Sequence, residues 1–297
     1  MSTTTLPSAA VAAVPPAEPS RLRAFLNALT ESRVATAALL VILALLAVAL
    51  LGPTIAPHDP AEQSFLAASK PPSAEFWFGT DRYGRDTFSR VLVGTRYSLL
   101  LGLAAPIIAG VTGTLIGMMA GFFGGWIDRV TGRITDLLLA FPALLLGILL
   151  AASLGPGFGN LIAAVAVAFL PRFIRVARAS TLAVRREPYV EASFAAGQRP
   201  LRIIAKHVLP NISGSVVVVA TLWVATAIRI EATLSFIGLG VQPPEPSWGN
   251  IIRDGLTNLL GSPMPVIAAG GALTLCVLAF NIIGDAVRDA LDPEYRE

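Results

Sequence analysis

Six long apolar stretches, at 34–56, roughly 98–122, 134–154, 160–180, 212–240 and 264–284, decide what this chain can fold into. Most reach or approach the roughly 20 residues that cross about 30 Å of hydrocarbon at about 1.5 Å per residue. None breaks into short segments of alternating polarity, so a β-barrel is excluded. The expectation is an all-α polytopic membrane protein with six transmembrane helices. Composition agrees, with 54% hydrophobic residues against 14% charged and a mean hydropathy of +0.69, outside the balance of a soluble domain.

The net charge of +3 invites a nucleic-acid reading. Basic residues in a membrane chain more often set topology, and no basic stripe with interleaved aromatics is present, so nucleic acid is not expected as a partner. The lone Cys276 lies inside the last apolar stretch, which leaves no disulfide framework or cysteine metal site and reads as a small buried hydrophobe. Residues 1–33 are rich in Ala, Pro, Ser and Thr and hold no apolar core of their own. They read as a cytoplasmic tail before an uncleaved signal anchor at 34–56.

With the N-terminus inside, 15 of the 22 basic residues fall on the cytoplasmic side, including Arg172, Arg175 and Arg178 at the inner end of the fourth helix. The positive-inside rule favours that orientation, with both termini, including the tail 291–297, in the cytoplasm. The extracytoplasmic segment 57–97 cuts against it, because it carries Arg82, Arg85, Arg90 and Arg96, partly offset by Asp81 and Asp86. From Asp86 onward Phe88, Val91, Leu92 and Val93 recur at helical spacing. That fits a helix lying at the membrane surface, and it fits an ordinary solvated connection equally well. Within the apolar stretches, Pro106, Pro142 and Pro171 point to bent helices, and Gly110, Gly113, Gly117 and Gly121 to close helix contact.

Between the fourth and fifth stretches runs the charged segment REPYVEASFAAGQRPLRIIAKHVLPN, residues 186–211. Pro188 suits the first turn of a helix, where its missing N–H has no partner to lose. Gly197 suits the left-handed position that ends a helix. Pro200 opens a second helix over 201–208, and Pro210 interrupts the chain before the fifth span. The prediction is helix, glycine turn, helix on the cytoplasmic face. Tyr189, Ala192, Ser193 and Ala196 form one face, flanked by Glu191 and Phe194. Such a face allows insertion into a groove of another protein, and a generic loop that only sets topology is the alternative.

The stretch EASFAAGQRPLRIIAKHVLP resembles the EAA loop of permease subunits of binding-protein-dependent ABC importers. Glu191, Ala192, Gly197, Leu209 and Pro210 match its spacing. Ser193 stands where the second alanine is usual, and His207 where a hydrophobic residue is usual. A histidine there is similar to the dipeptide, oligopeptide and nickel branch. Three more blocks resemble that branch: FGTDRYGRDTFSRVLVGTRYSLLLGL, EATLSFIGLGVQPPEPSWGNII and NIIGDAVRDALDP. The similarity covers about residues 76 to 293 and is strongest to the second permease of the pair.

The resemblance implies the type I ABC importer permease fold, with a transmembrane core over 98–290 and a coupling loop over 185–210. In that loop Pro188, Glu191, Ala192, Ser193, Gly197, His207, Leu209 and Pro210 shape or bound a docking site for the ATPase. It further implies a heterodimer with a second homologous permease, two cytoplasmic ABC ATPase subunits and an extracytoplasmic substrate-binding protein in a bacterial or archaeal cytoplasmic membrane. The cargo would be di- or oligopeptides, with nickel or another small solute such as glutathione as the alternative.

No G-x-x-x-x-G-K-[S/T] loop is present, so the chain is not expected to be an ATPase, and ATP and Mg²⁺ belong to the partner subunits. This chain is expected to bind no cofactor. His58 and His207 fall on opposite sides of the predicted topology, which excludes a two-histidine metal site, and no nucleophile motif appears. Glu231, two residues after Arg229, sits roughly 27 Å along the fifth span from Ser213, near its outer interface. An intramembrane carboxylate is a candidate for the translocation pathway or gate, with snorkelling or a helix–helix structural role as the alternative. Asp285, Arg288 and Asp289 read as pairs within the last helix.

Overall fold

The computed structural model describes residues 32–291, so the predicted tails 1–33 and 291–297 lie almost wholly outside the described residues. Among those described, the chain is helical with no strand. Helix α1 spans Arg33–Ile55 and α2 spans Thr87–Phe123. Helix α3 covers Gly125–Leu139 and α4 Ala143–Leu154, followed by α5 at Phe158–Arg185. A short α6 at Pro188–Ala195 leads to α7 at Pro200–Ile203, and a π-helical turn at Ile204–Val208 joins α7 to α8 at Leu209–Phe236. Helix α9 at Trp248–Leu256 precedes α10 at Met264–Leu291. Five helices are long and apolar enough to cross a membrane, counting Pro200–Phe236 as one, and α3 with α4 makes a sixth if the bent pair is one span.

Three predicted boundaries change. The third apolar stretch is not one rod, because α3 and α4 meet at 94°. The break falls at Phe141–Pro142, where proline forces the preceding residue out of helical geometry and supplies no N–H to continue the ladder. The segment before the second span is not a separate surface helix. It is the first turns of α2, which starts at Thr87 under an Asp86 cap that accepts the Ser89 N–H at 3.0 Å and runs unbroken for 37 residues. Pro210 does not interrupt the chain before the fifth span, because helix continues through it from Pro200 to Phe236. The Leu209 N–H bonds to the Ile204 carbonyl, a wide π turn that relieves the clash a proline ring makes with the carbonyl four residues earlier.

The core is the crossing of α2 and α5. A Cβ on Gly113 would sit 2.6 Å from the Phe173 Cβ, and one on Gly117 would sit 2.3 Å from the Ile174 carbonyl oxygen. Only glycine at these positions lets the two backbones meet, the small-residue packing that membrane helices use where water cannot drive association. Leu101, Ala105, Ala164, Val165, Phe169 and Phe173 fill this contact, and Ala227, Ile230 and Leu234 of α8 close it from a third side. A second cluster joins Ile42 of α1, Ile228 of α8, Trp248 of α9 and Phe280 of α10.

The Arg172–Arg175–Arg178 cluster is partnered by side chains. Arg178 forms a two-pronged pair with Asp128 of α3, Arg175 meets Asp136 at 2.9 Å, and the Arg172 guanidinium lies 4.3 Å from the Trp223 ring centroid. The two aspartate pairs tie α3 to α5, and the Trp223 contact ties α5 to α8.

Candidate functional site

At the end of the bundle where α2 and α5 finish, segment 186–211 folds into two short helices joined at Gly197. Pro188 and Pro200 each occupy the first turn of a helix, as proline's fixed φ and missing N–H favour. Gly197 has φ +72°, and the Gln198 N–H returns to the Ser193 carbonyl at 3.1 Å. That is a left-handed helix stop, a conformation that costs a side-chain-bearing residue about 1–2 kcal/mol.

One side of this unit is packed. Val190, Ile203, Ile204 and Val208 join Met118 and Phe122 of α2, Ala177 of α5 and Ile212 of α8 in a buried cluster. Phe194 stacks on Phe122 with ring centroids 5.6 Å apart. Full burial of such a side chain contributes about 1.5–3 kcal/mol, so these few residues fix the unit on the bundle. The other side is uncovered: Tyr189, Glu191, Ala192, Ala196 and Gly197 are exposed, and Leu201 is 66% exposed.

One predicted residue is placed differently from expectation. Ser193 does not share the open face with Ala192, because it points inward, is buried, and donates its hydroxyl to the Tyr189 carbonyl at 2.8 Å. His207 is half-buried beside Tyr189, ring centroids 5.9 Å apart. Leu209 and Pro210 are exposed at the start of α8.

At the opposite end of the bundle lies an acid–arginine cluster that the sequence reading treated as exposed charge. Arg85 is 6% and Arg90 3% exposed. Arg85 Nε donates to Asp81 at 2.6 Å and its Nη2 to Asp254 at 3.0 Å, while Arg90 lies 3.7 Å from both carboxylates. Gly84 makes the turn: its φ is +75°, and a Cβ there would lie 1.9 Å from the Ser64 carbonyl oxygen. The loop is further tied down by Ser262 donating to the Thr80 carbonyl at 3.1 Å and Asn258 to Ser69 at 2.7 Å. The spacing of Asp81, Arg85, Asp86 and Arg90 at four- and five-residue intervals was a usable signal for this cluster. Asp254, 169 residues from Arg85 in the chain, left none.

Glu231, the candidate for the pathway or gate, faces the interior of the bundle, the placement that the alternative helix–helix role calls for. It is fully buried, its Oε1 accepting the Ser235 hydroxyl at 2.7 Å, with the Ser98 and Ser247 hydroxyls beside it. Ser98 belongs to α2 and Ser247 caps α9, accepting the Asn250 N–H at 3.3 Å. Ser98 also accepts the Trp248 N–H at 3.2 Å. The carboxyl therefore joins α2, α8 and the start of α9. Two residues earlier, Arg229 points the other way, exposed, with its Nη2 3.1 Å from the Thr226 hydroxyl.

This architecture, a bundle with an internally clamped end and an open helix–turn–helix at the other, is that of a membrane permease component of an ABC importer. The model of the family described as binding-protein-dependent transport system inner membrane component matches residues 113–297, and the chain belongs to that family. A model described as the N-terminal TM domain of oligopeptide transport permease C matches residues 20–72.

The chain is 40% identical over 268 residues to the dipeptide transport system permease protein DppC of Alkalihalophilus pseudofirmus, covering 90% of this chain and 88% of the relative. It is 39% identical over 276 residues to the glutathione transport system permease protein GsiD of Pectobacterium atrosepticum, covering 92% and 91%. With GsiD of Escherichia coli it is 40% identical over 294 residues, covering 97% of each. The family that the four sequence blocks resembled is thus the family of the chain, a multi-pass membrane protein that works with other transporter subunits.

Proposed function

We propose that this chain carries di- or oligopeptides across the cytoplasmic membrane as one half of a permease heterodimer, by alternating access. Its partners are a second homologous permease, two ABC ATPases that bind ATP and Mg²⁺, and an extracytoplasmic binding protein. The observation that carries the mechanism is the two-sided build of segment 188–208. Val190, Ile203, Ile204 and Val208 hold it rigidly to α2, α5 and α8, while Tyr189, Glu191, Ala192 and Leu201 stand uncovered. A lever needs this division: one face transmits displacement into the bundle, the other receives it from a partner.

Pro188, Gly197, Leu209 and Pro210 set the shape of the lever, Ser193 and His207 hold it from within, and Glu191 offers a carboxylate to a basic groove. ATP binding closes the ATPase pair, the docked unit follows, and α2, α5 and α8 tilt to open the pathway outward. The orientation, with N- and C-termini inside, follows from the positive-inside count and puts the acid–arginine cluster outside.

The peptide cargo is supported by the relatives named for dipeptide and for glutathione, itself a small peptide. The test is uptake of a labelled dipeptide, glutathione and nickel in cells with and without the gene. Loss of dipeptide or glutathione uptake alone is expected. Loss of nickel uptake alone overturns the cargo, and failure of any soluble ATPase to co-purify from detergent overturns the coupling.

A further inference from the structure

Arg229 lies in the fifth span, in a crevice of about 340 Å³ between α8, α9 and α10 whose walls include Thr233, Phe236, Ile252 and Leu273. Two distances along the helices set it well inside their ends. Its guanidinium bonds to Thr226, ten residues before the end of α8 at Phe236, which is about 15 Å along the helix. Leu273, on the same crevice, is nine residues past the start of α10 at Met264, about 14 Å in. The side chain turns toward Thr226, away from the near interface, so it does not snorkel.

Other arginines of the bundle meet partners: Arg85 and Arg90 face carboxylates, as do Arg175 and Arg178, and Arg172 lies over Trp223. Arg229 meets a hydroxyl, with no carboxylate within 4 Å among the described residues. A guanidinium facing lipid tails at that depth is costly, and such groups face water-filled cavities or protein. The Arg229 face of α8 is therefore covered by something other than hydrocarbon.

We propose that Arg229 lines the aqueous pathway and receives the carboxylate of the passing solute, with Thr226 and Thr233 of the same face as neutral polar neighbours. The inference rests on the peptide reading above, since a peptide with a free C-terminus brings the anion the guanidinium lacks. Planar guanidinium and carboxylate pair through two parallel hydrogen bonds, a geometry that lysine does not reproduce. The apolar walls Phe236, Ile252 and Leu273 suit uncharged side chains of varied size and select little among them.

The experiment uses the whole transporter in liposomes, with saturating binding protein and two labelled probes, dialanine and dialanine C-terminal amide. Because both variants share one binding protein, its own preference cancels when the uptake ratio of each is divided by that of the wild type. Arg229→Gln is expected to lower the acid-to-amide ratio about ten- to a hundredfold, the worth of one charge-assisted pair, and Arg229→Lys to restore part of it. An equal fall for both probes overturns the inference and assigns Arg229 to a carboxylate of the second permease or to a lipid phosphate. Wild-type transport of both probes with an unchanged ratio in Arg229→Gln overturns the inference alone. A wild-type complex that moves neither probe overturns the peptide reading and this inference with it.

Discussion

Residues 57–90 and residues 186–211 are both charged, turn-rich connections between apolar helices, and they are built in opposite ways. In the first, Arg85 and Arg90 are buried against Asp81 and Asp254, and hydrogen bonds run to a loop far along the chain. In the second, Glu191, Arg199, Arg202 and Lys206 stay exposed, and packing comes from a few aliphatic side chains on one face. Charge satisfied from within holds the first segment fast. Charge left open on a firmly packed base leaves the second with an uncovered face.

The sharpest way to break this contrast is to remove one member of the outer cluster. Asp254→Ala leaves Arg85 and Arg90 short of a buried carboxylate, which costs about 3–5 kcal/mol, and the expected result is loss of folded permease in detergent, read by thermal unfolding. Removing charge at the other end tests the opposite claim. Glu191→Ala is expected to change stability by no more than about 0.5 kcal/mol, as for other exposed sites, yet to reduce peptide-stimulated ATP hydrolysis by the assembled complex. A stability loss comparable to that of Asp254→Ala would erase the distinction between the two regions.

Gly197→Pro goes further at the same end, since proline cannot adopt φ +72° and the turn must reshape. Transport is expected to vanish while membrane insertion stays normal, and normal uptake by this variant would argue strongly against the lever. A further test lies between the two ends. Glu231→Gln keeps an acceptor for Ser235 and should cost less than Glu231→Ala, which strips a fully buried hydroxyl of its partner for about 1–3 kcal/mol. Equal melting shifts for the two variants would remove the clamp role of the carboxyl.

Much of the chain was legible in its sequence. Runs of apolar residues must be helices in a bilayer, because every backbone group needs an internal partner there, so six apolar stretches pointed to the membrane class at once. The glycine spacing in α2 announced a close helix crossing, and Pro188, Gly197 and Pro200 announced the helix–turn–helix through rules local to the chain. Tertiary structure alone decided the rest. Asp254 reaches Arg85 across 169 residues, and no periodicity encodes such a pairing. Ser193 turned inward because Val190, on the same side of its helix, found an aliphatic pocket. Glu231 and Arg229 look alike as intramembrane charges two residues apart, yet about 200° of helix rotation at 3.6 residues per turn sends them to opposite faces. Which face is core and which is open depends on the neighbours that pack there, and those neighbours are set by the fold as a whole.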